Sequence, residues 1–260
     1  MNTLHLDIET SPQCWWLYPH FRMQPPAHAV DHIVAKGPKK NIKDPAKIAE
    51  WKRGVPQAAA DWYQSTSLDP RYGMILCAGV QFGDGAEAVH GLQTDAEFAD
   101  AMAWRVDSEK VLLERLLERL EFHDPSRIVT FNGEKFDLPF LWQRAMYWKM
   151  PRLARWFVEL HYSIAKNENV VRPGRNAKIS RVDIRKLWQH MDYRLRPGTL
   201  PDIDFALTGH QHDDIPGSEV LTAMIAGLGE KVLEHVVLDV ERLERVWPLV
   251  AAGVGIKVST

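Results

Sequence analysis

The sequence predicts an α/β fold in which a mixed β-sheet is flanked by helices. The first observation is Leu4–Thr10, where apolar and polar residues alternate as in a half-buried strand. The second is the stretch 74–92, where two apolar runs flank the hairpin turn Gly83-Asp84-Gly85. The third is an amphipathic helix at 108–122 that precedes a strand at 127–131. The order strand, hairpin, helix, strand implies a mixed sheet with helices against it.

Length and composition predict one domain, residues 1–260. The chain is 45% hydrophobic and 25% charged, which is enough apolar material for one sizeable core. Cys14 and Cys77 make no disulfide framework, which fits a reducing cytosol. Acidic residues at positions 7 and 9 argue against a signal peptide, and no apolar run is long enough to span a bilayer. We therefore expect a cytoplasmic protein with no membrane partner.

A long insertion, residues about 13–70, follows the first strand and carries many aromatic residues. Asp44-Pro45 has the residue types of an N-cap and a first helical position, so a helix is predicted from there to about Lys52. Gly54 and Pro56 are predicted to break it, and a second helix follows the break. The aromatic residues could stack on bases, or they could bury the insertion against the body of the protein.

Asp7 and Glu9 are the first candidate functional residues. They are two residues apart on a predicted strand, so both carboxylates point to the same face. Two carboxylates side by side repel each other and are costly to bury. A divalent cation with oxygen ligands removes that cost. The pair therefore indicates a hard-metal site, and the alternative is an ordinary strand with one solvated face.

Asp137 is the second candidate, because it follows the predicted strand at 127–131. The segment Asn132–Asp137 links this strand to a helix predicted at about 138–149. The carboxyl end of a strand and the start of the next helix are where open α/β sheets usually place their chemistry. Asp137 also suits the N-cap of that helix, so both interpretations stay open.

His235 and Asp239 lie on the last long helix, which is predicted at about 230–250. They occupy positions i and i+4 of a stripe that is otherwise apolar. A carboxylate on a buried stripe needs a partner, and a metal held by the facing strand would supply one. Two shorter helices are predicted before this one, at 200–208 and 218–226.

Two further polar groups have open interpretations. Asp183 lies in the ordered stretch Arg181–Trp188 and could be near the site, cap a helix, or pair with Arg181 or Arg185. The segment His210-Gln211-His212-Asp213-Asp214 contains a His-x-His spacing that could bind Zn²⁺. A polar loop between helices is the simpler account of that segment.

Charge is unevenly distributed, although the formal net charge is only −2. Lys36–Arg53 carries seven Lys/Arg against two acidic residues, and Arg172–Arg196 carries eight against two. Two basic segments on an acidic body could form the footprint of a polyanion, or they could be solvated loops. Arg172, Arg175 and Lys178 are the candidate substrate-binding residues of the second segment.

The three acidic motifs together resemble one family of nucleases. Asp7-x-Glu9, Asn132-x-x-x-Phe136-Asp137 and His235-x-x-x-Asp239 resemble, in this order, the motifs of the DEDD 3′–5′ exonucleases of the ribonuclease H-like superfamily. The chain is most similar to the proofreading domains of family B DNA polymerases and to related stand-alone phage or bacterial exonucleases. The insertion, with Asn41–Lys47 and Leu68-Asp69-Pro70, is similar to the phage members.

The resemblance implies a ribonuclease H-like fold and a two-metal-dependent 3′–5′ exonuclease. Such an enzyme removes nucleoside 5′-monophosphates from the 3′ end of DNA, and we expect single-stranded DNA as the substrate. The implied ligands of two Mg²⁺ or Mn²⁺ ions, and so the implied catalytic carboxylates, are Asp7, Glu9, Asp137 and Asp239. The implied contacts to the 3′-terminal nucleotide are Thr10, Asn132 and Phe136.

The third motif departs from the pattern. This motif has a tyrosine form and a histidine form in the superfamily, and the two differ in spacing. His235-x-x-x-Asp239 has the spacing of the tyrosine form but carries histidine. His235 could therefore orient or deprotonate the attacking water as a catalytic residue, or it could be a substitution that slows the enzyme.

Two other functions would also fit this fold, and a DNA polymerase is a candidate partner. An exoribonuclease would have the same fold, and recognition of the 2′-hydroxyl would distinguish it. A non-catalytic nucleic-acid-binding module would keep the fold without turnover. No polymerase activity is expected from 260 residues, so a separate DNA polymerase or other replication and repair machinery is the candidate partner.

Overall fold

The computed structural model describes residues 2–13, 15–17, 24–38, 42–83, 85–105, 107–154, 156, 180–191, 198–211 and 213–256. The chain divides into two compact units. One unit contains Met1–Glu9 and Ile75–Thr260, and the other contains Thr10–Met74. The second unit corresponds closely to the insertion predicted at about 13–70. That the whole chain acts as one domain stays a prediction.

The sheet has five strands in the order β3-β2-β1-β4-β5. Their bounds are β1 Thr3–Pro12, β2 Gly73–Gln81, β3 Ala86–His90, β4 Arg127–Thr130 and β5 Ser180–Asp183. β4 pairs in parallel with both β1 and β5, whereas β2 and β3 form an antiparallel hairpin. The mixed sheet predicted from the sequence is confirmed, and the bounds of its first four strands agree with the prediction within about two residues.

Helices account for most of the remaining described chain. They are α1 Ala27–Lys36, α2 Pro45–Ser65, α3 Asp95–Ala99, α4 Ser108–His123, α5 Asp137–Tyr147, α6 Ile184–Met191, α7 Leu200–Thr208, α8 Val220–Ile225 and α9 Gly229–Gly253. The sequence did not predict α3, a single turn capped by the Thr94 hydroxyl. In the described ranges, no helix combines the length and the hydropathy needed to cross a bilayer.

The break predicted inside the insertion is wrong, because α2 continues through Gly54 and Pro56. Proline removes one intrahelical hydrogen bond, but Gly54 and Pro56 are exposed, so water can satisfy the carbonyl that is left over. The opposite face keeps an apolar stripe that includes Val55 and Ala59. The predicted start is confirmed, because the Asp44 carboxylate accepts a hydrogen bond from the amide of the second helical residue at 2.9 Å.

Aromatic residues pack together within the second unit. The Trp62 ring stacks on His32 with 4.0 Å between ring centroids and meets Tyr72 edge-on at 5.8 Å. Tyr63 is buried on the same helix. The aromatic side chains of the second unit named here thus pack against one another. A role of such residues in base stacking stays a prediction.

The core of the first unit lies on both faces of the sheet. On one face, Leu4, Leu6 and Ile8 of β1 pack with apolar side chains of α4 and α5. On the other face, Val129 of β4 packs with α7 and α9. Because side chains alternate along a strand, Asp7 and Glu9 belong to the face that α9 covers. The fold therefore brings the first and last candidate motifs together.

Candidate active site

Asp7 and Glu9 share one face of β1 and lie among further acidic side chains. Burial raises the pKa of Asp7 well above its usual value, and the negative charges of Asp137, Asp239 and Glu9 raise it further. Burial also raises the pKa of Glu9, although a hydrogen bond from a histidine opposes this effect. Four carboxylates from three distant stretches of the chain are therefore close enough to repel one another.

A tight turn between β4 and α5 brings Asp137 to this cluster. Asn132 has a φ of 62°, which lies in the left-handed region that asparagine tolerates better than most residues. A Cβ on Gly133 would lie 2.4 Å from the Thr130 side chain, so only glycine fits there. These two residues reverse the chain, and α5 then begins at Asp137.

The Asp137 carboxylate accepts a hydrogen bond from the amide of Ile8 at 3.1 Å. The pairing of β1 with β4 ends at His5 and Val129, so the Ile8 amide lies beyond the paired region and needs another acceptor. Phe136, which precedes the first residue of α5, occupies the N-cap position. The structure therefore does not support the N-cap interpretation of Asp137, whose side chain ties α5 to β1 instead.

The environment of Asp137 favours its protonated form in the absence of a cation. Burial raises the pKa of Asp137 to about 7, and the charges of Glu9 and Asp183 contribute in the same direction against two amide hydrogen bonds. Asp183 accepts hydrogen bonds from the amides of Lys186 at 3.3 Å and Asn132 at 3.0 Å. It therefore caps α6, and its charge also acts on the site, which combines two of the predicted interpretations.

α9 places His235 and Asp239 opposite the strand carboxylates. His235 Nε2 lies 3.2 Å from Glu9 Oε1 and 3.8 Å from Asp239 Oδ2. The helix can approach this closely because β2 carries Gly79, where a Cβ would lie only 2.4 Å from the carbonyl oxygen of Val236. The shared face predicted for His235 and Asp239 is confirmed by these distances.

The second ring nitrogen of His235 is held by a residue outside the motifs. His235 Nδ1 lies 2.8 Å from Asp214 Oδ2. Burial alone would lower the pKa of His235, but the hydrogen bonds to Glu9 and Asp214 and the charges of Glu9 and Asp239 outweigh burial and raise the pKa to about 9. Without a bound cation, a protonated imidazole therefore supplies positive charge between the carboxylates.

Arg242 completes this side of the cluster and is almost fully buried. Its two terminal nitrogens donate to the two oxygens of Asp214, each at 2.9 Å, and Nη1 also donates to Asp239 Oδ1 at 2.6 Å. Burial raises the pKa of Asp239, whereas the nearby His235 and Arg242 lower it in part. One Asp239 oxygen is thus taken by Arg242, and the other faces His235.

Sequence reasoning missed Asp214 and Arg242 as parts of the site. Arg242 had a local signal, because it lies three residues after Asp239 on one helix, where side chains meet. The only sequence signal at Asp214 is its place in the segment 210–214, which has a possible zinc-binding spacing. Its carboxylate bonds to His235 and Arg242, and His212 of that segment lies outside the described residues. Nothing in the spacing of Asp214 pointed to a histidine 21 residues away.

The predicted substrate-binding residues fall into three groups. Thr10 is buried on β1 directly after Glu9 and begins the second unit. Asn132 and Phe136 lie in the β4–α5 turn, and the half-buried Phe136 ring packs against Phe140 with 5.5 Å between centroids. The third group lies outside the described residues and consists of Arg172, Arg175 and Lys178.

The donor set fits a divalent cation. Glu9, His235 and Asp239 each offer one ligand atom, and these atoms lie within 4.8 Å of one another. Asp7 and Asp137 add two carboxylates whose pKa values are raised by burial first and then by the charges of neighbouring carboxylates. Carboxylate oxygens are the ligands that Mg²⁺ and Mn²⁺ prefer. The residues present could therefore hold such a cation, and its charge would offset the repulsion.

Comparisons with known proteins show what the chain is similar to. A family model described as "DNA polymerase family B, exonuclease domain" matches residues 52–187. The DNA polymerase of Pyrococcus glycovorans is 32% identical over 73 residues, which is 28% of this chain. That of Thermococcus litoralis is 33% identical over 76 residues, or 26% of the chain. The matched regions amount to 9% and 4% of those polymerases, so the chain spans only a small part of the relatives it matches.

A solved structure extends the likeness to most of the chain. The family B DNA polymerase of Pyrobaculum calidifontis superposes with a TM-score of 0.51 at 15% identity. The match covers 95% of this chain and 25% of that polymerase. At this identity the likeness concerns the fold, and it confirms the predicted ribonuclease H-like architecture. The family model includes Asp137 but ends before α9 and begins after β1, so the outer motifs depend on the geometry described above.

Proposed function

The chain belongs to the exonuclease-domain family of family B DNA polymerases, and from this premise we propose that it is a two-cation-dependent 3′–5′ exonuclease. The proposed reaction hydrolyses phosphodiester bonds at the 3′ end of DNA and releases nucleoside 5′-monophosphates. Single-stranded DNA is the proposed substrate. The observation that carries the proposal is the convergence of four mutually repelling carboxylates from β1, α5 and α9.

We assign the ligand role to Asp7, Glu9, Asp137 and Asp239. Bound divalent cations supply charge neutralisation at the scissile phosphate and activation of the attacking water. The protein fixes the donors beforehand: the Ile8 amide holds Asp137, and Arg242 holds Asp239. Preorganisation of this kind means that the side chains need little rearrangement when substrate binds.

The remaining sequence-derived residues take proposed roles around this cluster. Thr10, Asn132 and Phe136 would contact the 3′-terminal nucleotide, where an aromatic ring such as that of Phe136 can stack on a base. The basic segment with Arg172, Arg175 and Lys178 would neutralise backbone phosphates. His235 belongs to the catalytic set because its Nε2 faces Glu9 and Asp239.

A polymerase partner and a cytoplasmic location belong to the same proposal. The matched relatives are DNA polymerases, and a 3′–5′ exonuclease that acts beside a polymerase removes misinserted nucleotides. We therefore propose a DNA polymerase or other replication and repair machinery as the partner. The cytoplasmic location rests on the cysteine usage of the sequence and stays a prediction.

Digestion of 5′-labelled oligonucleotides tests the proposed function. The substrates are single- and double-stranded DNA and RNA, each incubated with Mg²⁺, Mn²⁺ or EDTA. We expect stepwise shortening from the 3′ end, fastest on single-stranded DNA and absent in EDTA. Faster shortening of RNA would favour the exoribonuclease. Retarded migration without shortening in either metal would favour a non-catalytic binding module.

A further inference from the structure

His235 is fixed in an orientation that decides what its Nε2 atom can contact. Nδ1 is bound to Asp214 at 2.8 Å, and Asp214 is itself held by both terminal nitrogens of Arg242. The imidazole therefore cannot rotate without losing a buried hydrogen bond. Its other nitrogen consequently points at Glu9 and Asp239, at 3.2 and 3.8 Å.

A cation can take the place of the second imidazole proton between His235 and the carboxylates. With both ring nitrogens protonated, Nε2 donates directly to Glu9 Oε1 at 3.2 Å. When only Nδ1 keeps its proton, in the bond to Asp214, Nε2 turns a lone pair toward Glu9 and Asp239, which is unfavourable unless a positive group lies among them. A divalent cation bound by the imidazole would be such a group.

The separations among the donor atoms match those around a single metal ion. Donors about 2.1 Å from one ion lie roughly 3.0–3.5 Å from their neighbours in octahedral or tetrahedral arrangements. The two distances from His235 Nε2 are 3.2 and 3.8 Å, and all three donor atoms lie within 4.8 Å of one another. An ion could thus be bound with small side-chain movements.

The contacts around these donors are those of a supported metal-binding histidine. Histidines that bind metals commonly donate their second ring N–H to a carboxylate, which sets the tautomer and the ring orientation. Asp214 stands in that relation to His235. Arg242 donates to Asp239 Oδ1 at 2.6 Å, which leaves Oδ2, 3.8 Å from His235 Nε2, as the oxygen that would bind a cation.

We propose that His235 Nε2, Glu9 and Asp239 are ligands of one divalent cation, that Asp214 and Arg242 are positioning residues for them, and that the site therefore prefers Mn²⁺ to Mg²⁺. Imidazole nitrogen suits first-row transition metals, whereas Mg²⁺ prefers oxygen ligands. The histidine that stands where the resembled family has tyrosine would thus change metal preference. The inference rests on the proposed function for the catalytic use of the site.

The test measures metal binding in the full chain without substrate, so that it can fail separately from the nuclease assay. Pulsed EPR of the Mn²⁺-loaded protein reports a directly bound imidazole nitrogen as modulation of the electron spin echo. We expect that modulation in the wild type, a change in its pattern after heavy-nitrogen labelling of histidine, and its loss in His235→Tyr and His235→Gln. Its absence from the Mn²⁺-loaded wild type would overturn the proposal, whatever the nuclease activity.

Affinities give the second readout and a matched control. We expect His235→Tyr to lower the ratio of Mn²⁺ to Mg²⁺ affinity by at least about 10-fold, and Asp214→Asn to weaken Mn²⁺ binding roughly 10–100-fold, the usual cost of losing such a partner. Asp213→Asn is the control, because this neighbouring side chain is exposed, and its Mn²⁺ affinity should equal that of the wild type. An unchanged ratio in a folded His235→Tyr protein would also overturn the proposal.

Discussion

Two buried acidic sites in the same unit are built in opposite ways. Glu109 on α4 is almost inaccessible and receives a full set of donors from the protein. Arg144 donates to both of its oxygens, Trp148 Nε1 donates at 2.6 Å, and the Ile75 amide donates at 2.8 Å. The buried charge of Glu109 is therefore compensated by side chains and an amide of the protein itself.

Asp7 and Asp137 lack such compensation, although His235 and Arg242 offset part of the charge of Glu9 and Asp239. The charged neighbours that shift the pKa of Asp7 are three further carboxylates, and all of them raise it. Asp137 accepts from the Ile8 amide, which carries no full charge. Burial costs a carboxylate as much in one place as in the other, so the difference lies in the sign of the neighbouring charge: Glu109 is paired with Arg144, whereas the charged neighbours that act on Asp7 are negative. Under the proposed function, a bound divalent cation would supply at the cluster the compensation that Arg144 supplies at Glu109.

The largest effect that follows from this comparison is a loss of activity without a loss of stability. We expect Asp7→Asn or Asp137→Asn to lower nuclease turnover by at least about 10²–10³-fold, since each removes charge that acts on the transition state. Asparagine at 137 keeps an oxygen for the Ile8 amide, and neutralising one member relieves repulsion. The Tm in EDTA should therefore hold or rise.

Turnover on 5′-labelled DNA and thermal unfolding in EDTA measure the two parts of this prediction. Asp213→Asn should leave turnover and Tm unchanged, because the side chain is exposed. Retained turnover together with a marked fall in Tm would show that Asp7 and Asp137 are structural residues like Glu109.

The reverse behaviour is expected at Glu109. Glu109→Gln removes the carboxylate charge that pairs with the buried Arg144 guanidinium, and breaking a buried pair in this way costs about 3–5 kcal/mol. For a chain of this size the Tm should fall on the order of 10 °C, while turnover per folded molecule at low temperature stays near wild type. Adding Arg144→Met should recover part of the loss, because it removes the other charge of the broken pair.

Two outcomes would contradict the proposed difference between Glu109 and the carboxylate cluster. Equal Tm values for wild type and Glu109→Gln would mean that water or neighbouring groups compensate Arg144. A turnover loss in Glu109→Gln as large as in Asp137→Asn would mean that the two sites are coupled through α5, which carries both Asp137 and Arg144.

Elements whose determinants are local were predictable from the sequence. Alternation along β1 and the i, i+4 spacing of His235 and Asp239 placed these side chains on the correct faces. The same local reasoning failed at Gly54 and Pro56, where the apolar stripe of α2 outweighs two helix-breaking residues on its exposed side.

Contacts between distant side chains were not predictable in the same way. The bonds from Arg242 to Asp214 and from Arg144 to Glu109 span 28 and 35 residues, and no periodicity specifies them. The carboxylate cluster could be predicted although its members are far apart in sequence, because they fall in three recognisable motifs. Asp214 lies in an irregular loop outside these motifs, so only the folded structure shows that it contacts His235 and Arg242 of α9.

The smallest expected effect is a pH dependence that should distinguish the cluster from the rest of the surface. The pKa of Asp137 is raised from 3.8 to about 7 in the folded protein. Between these values the folded state holds a proton that the unfolded state has released, so this group makes stability fall as pH rises. Without metal, the Tm of Asp137→Asn minus that of the wild type should therefore grow by a few degrees from pH 5 to pH 7.5, which corresponds to about 1–2 kcal/mol of unfolding free energy.

Two controls accompany this measurement. Saturating Mn²⁺ should abolish the trend, because a bound cation keeps the carboxylates ionised. The Tm of Asp213→Asn should change with pH in the same way as that of the wild type. Parallel profiles for Asp137→Asn and wild type in EDTA would show that the cluster is already compensated and would remove the contrast with Glu109.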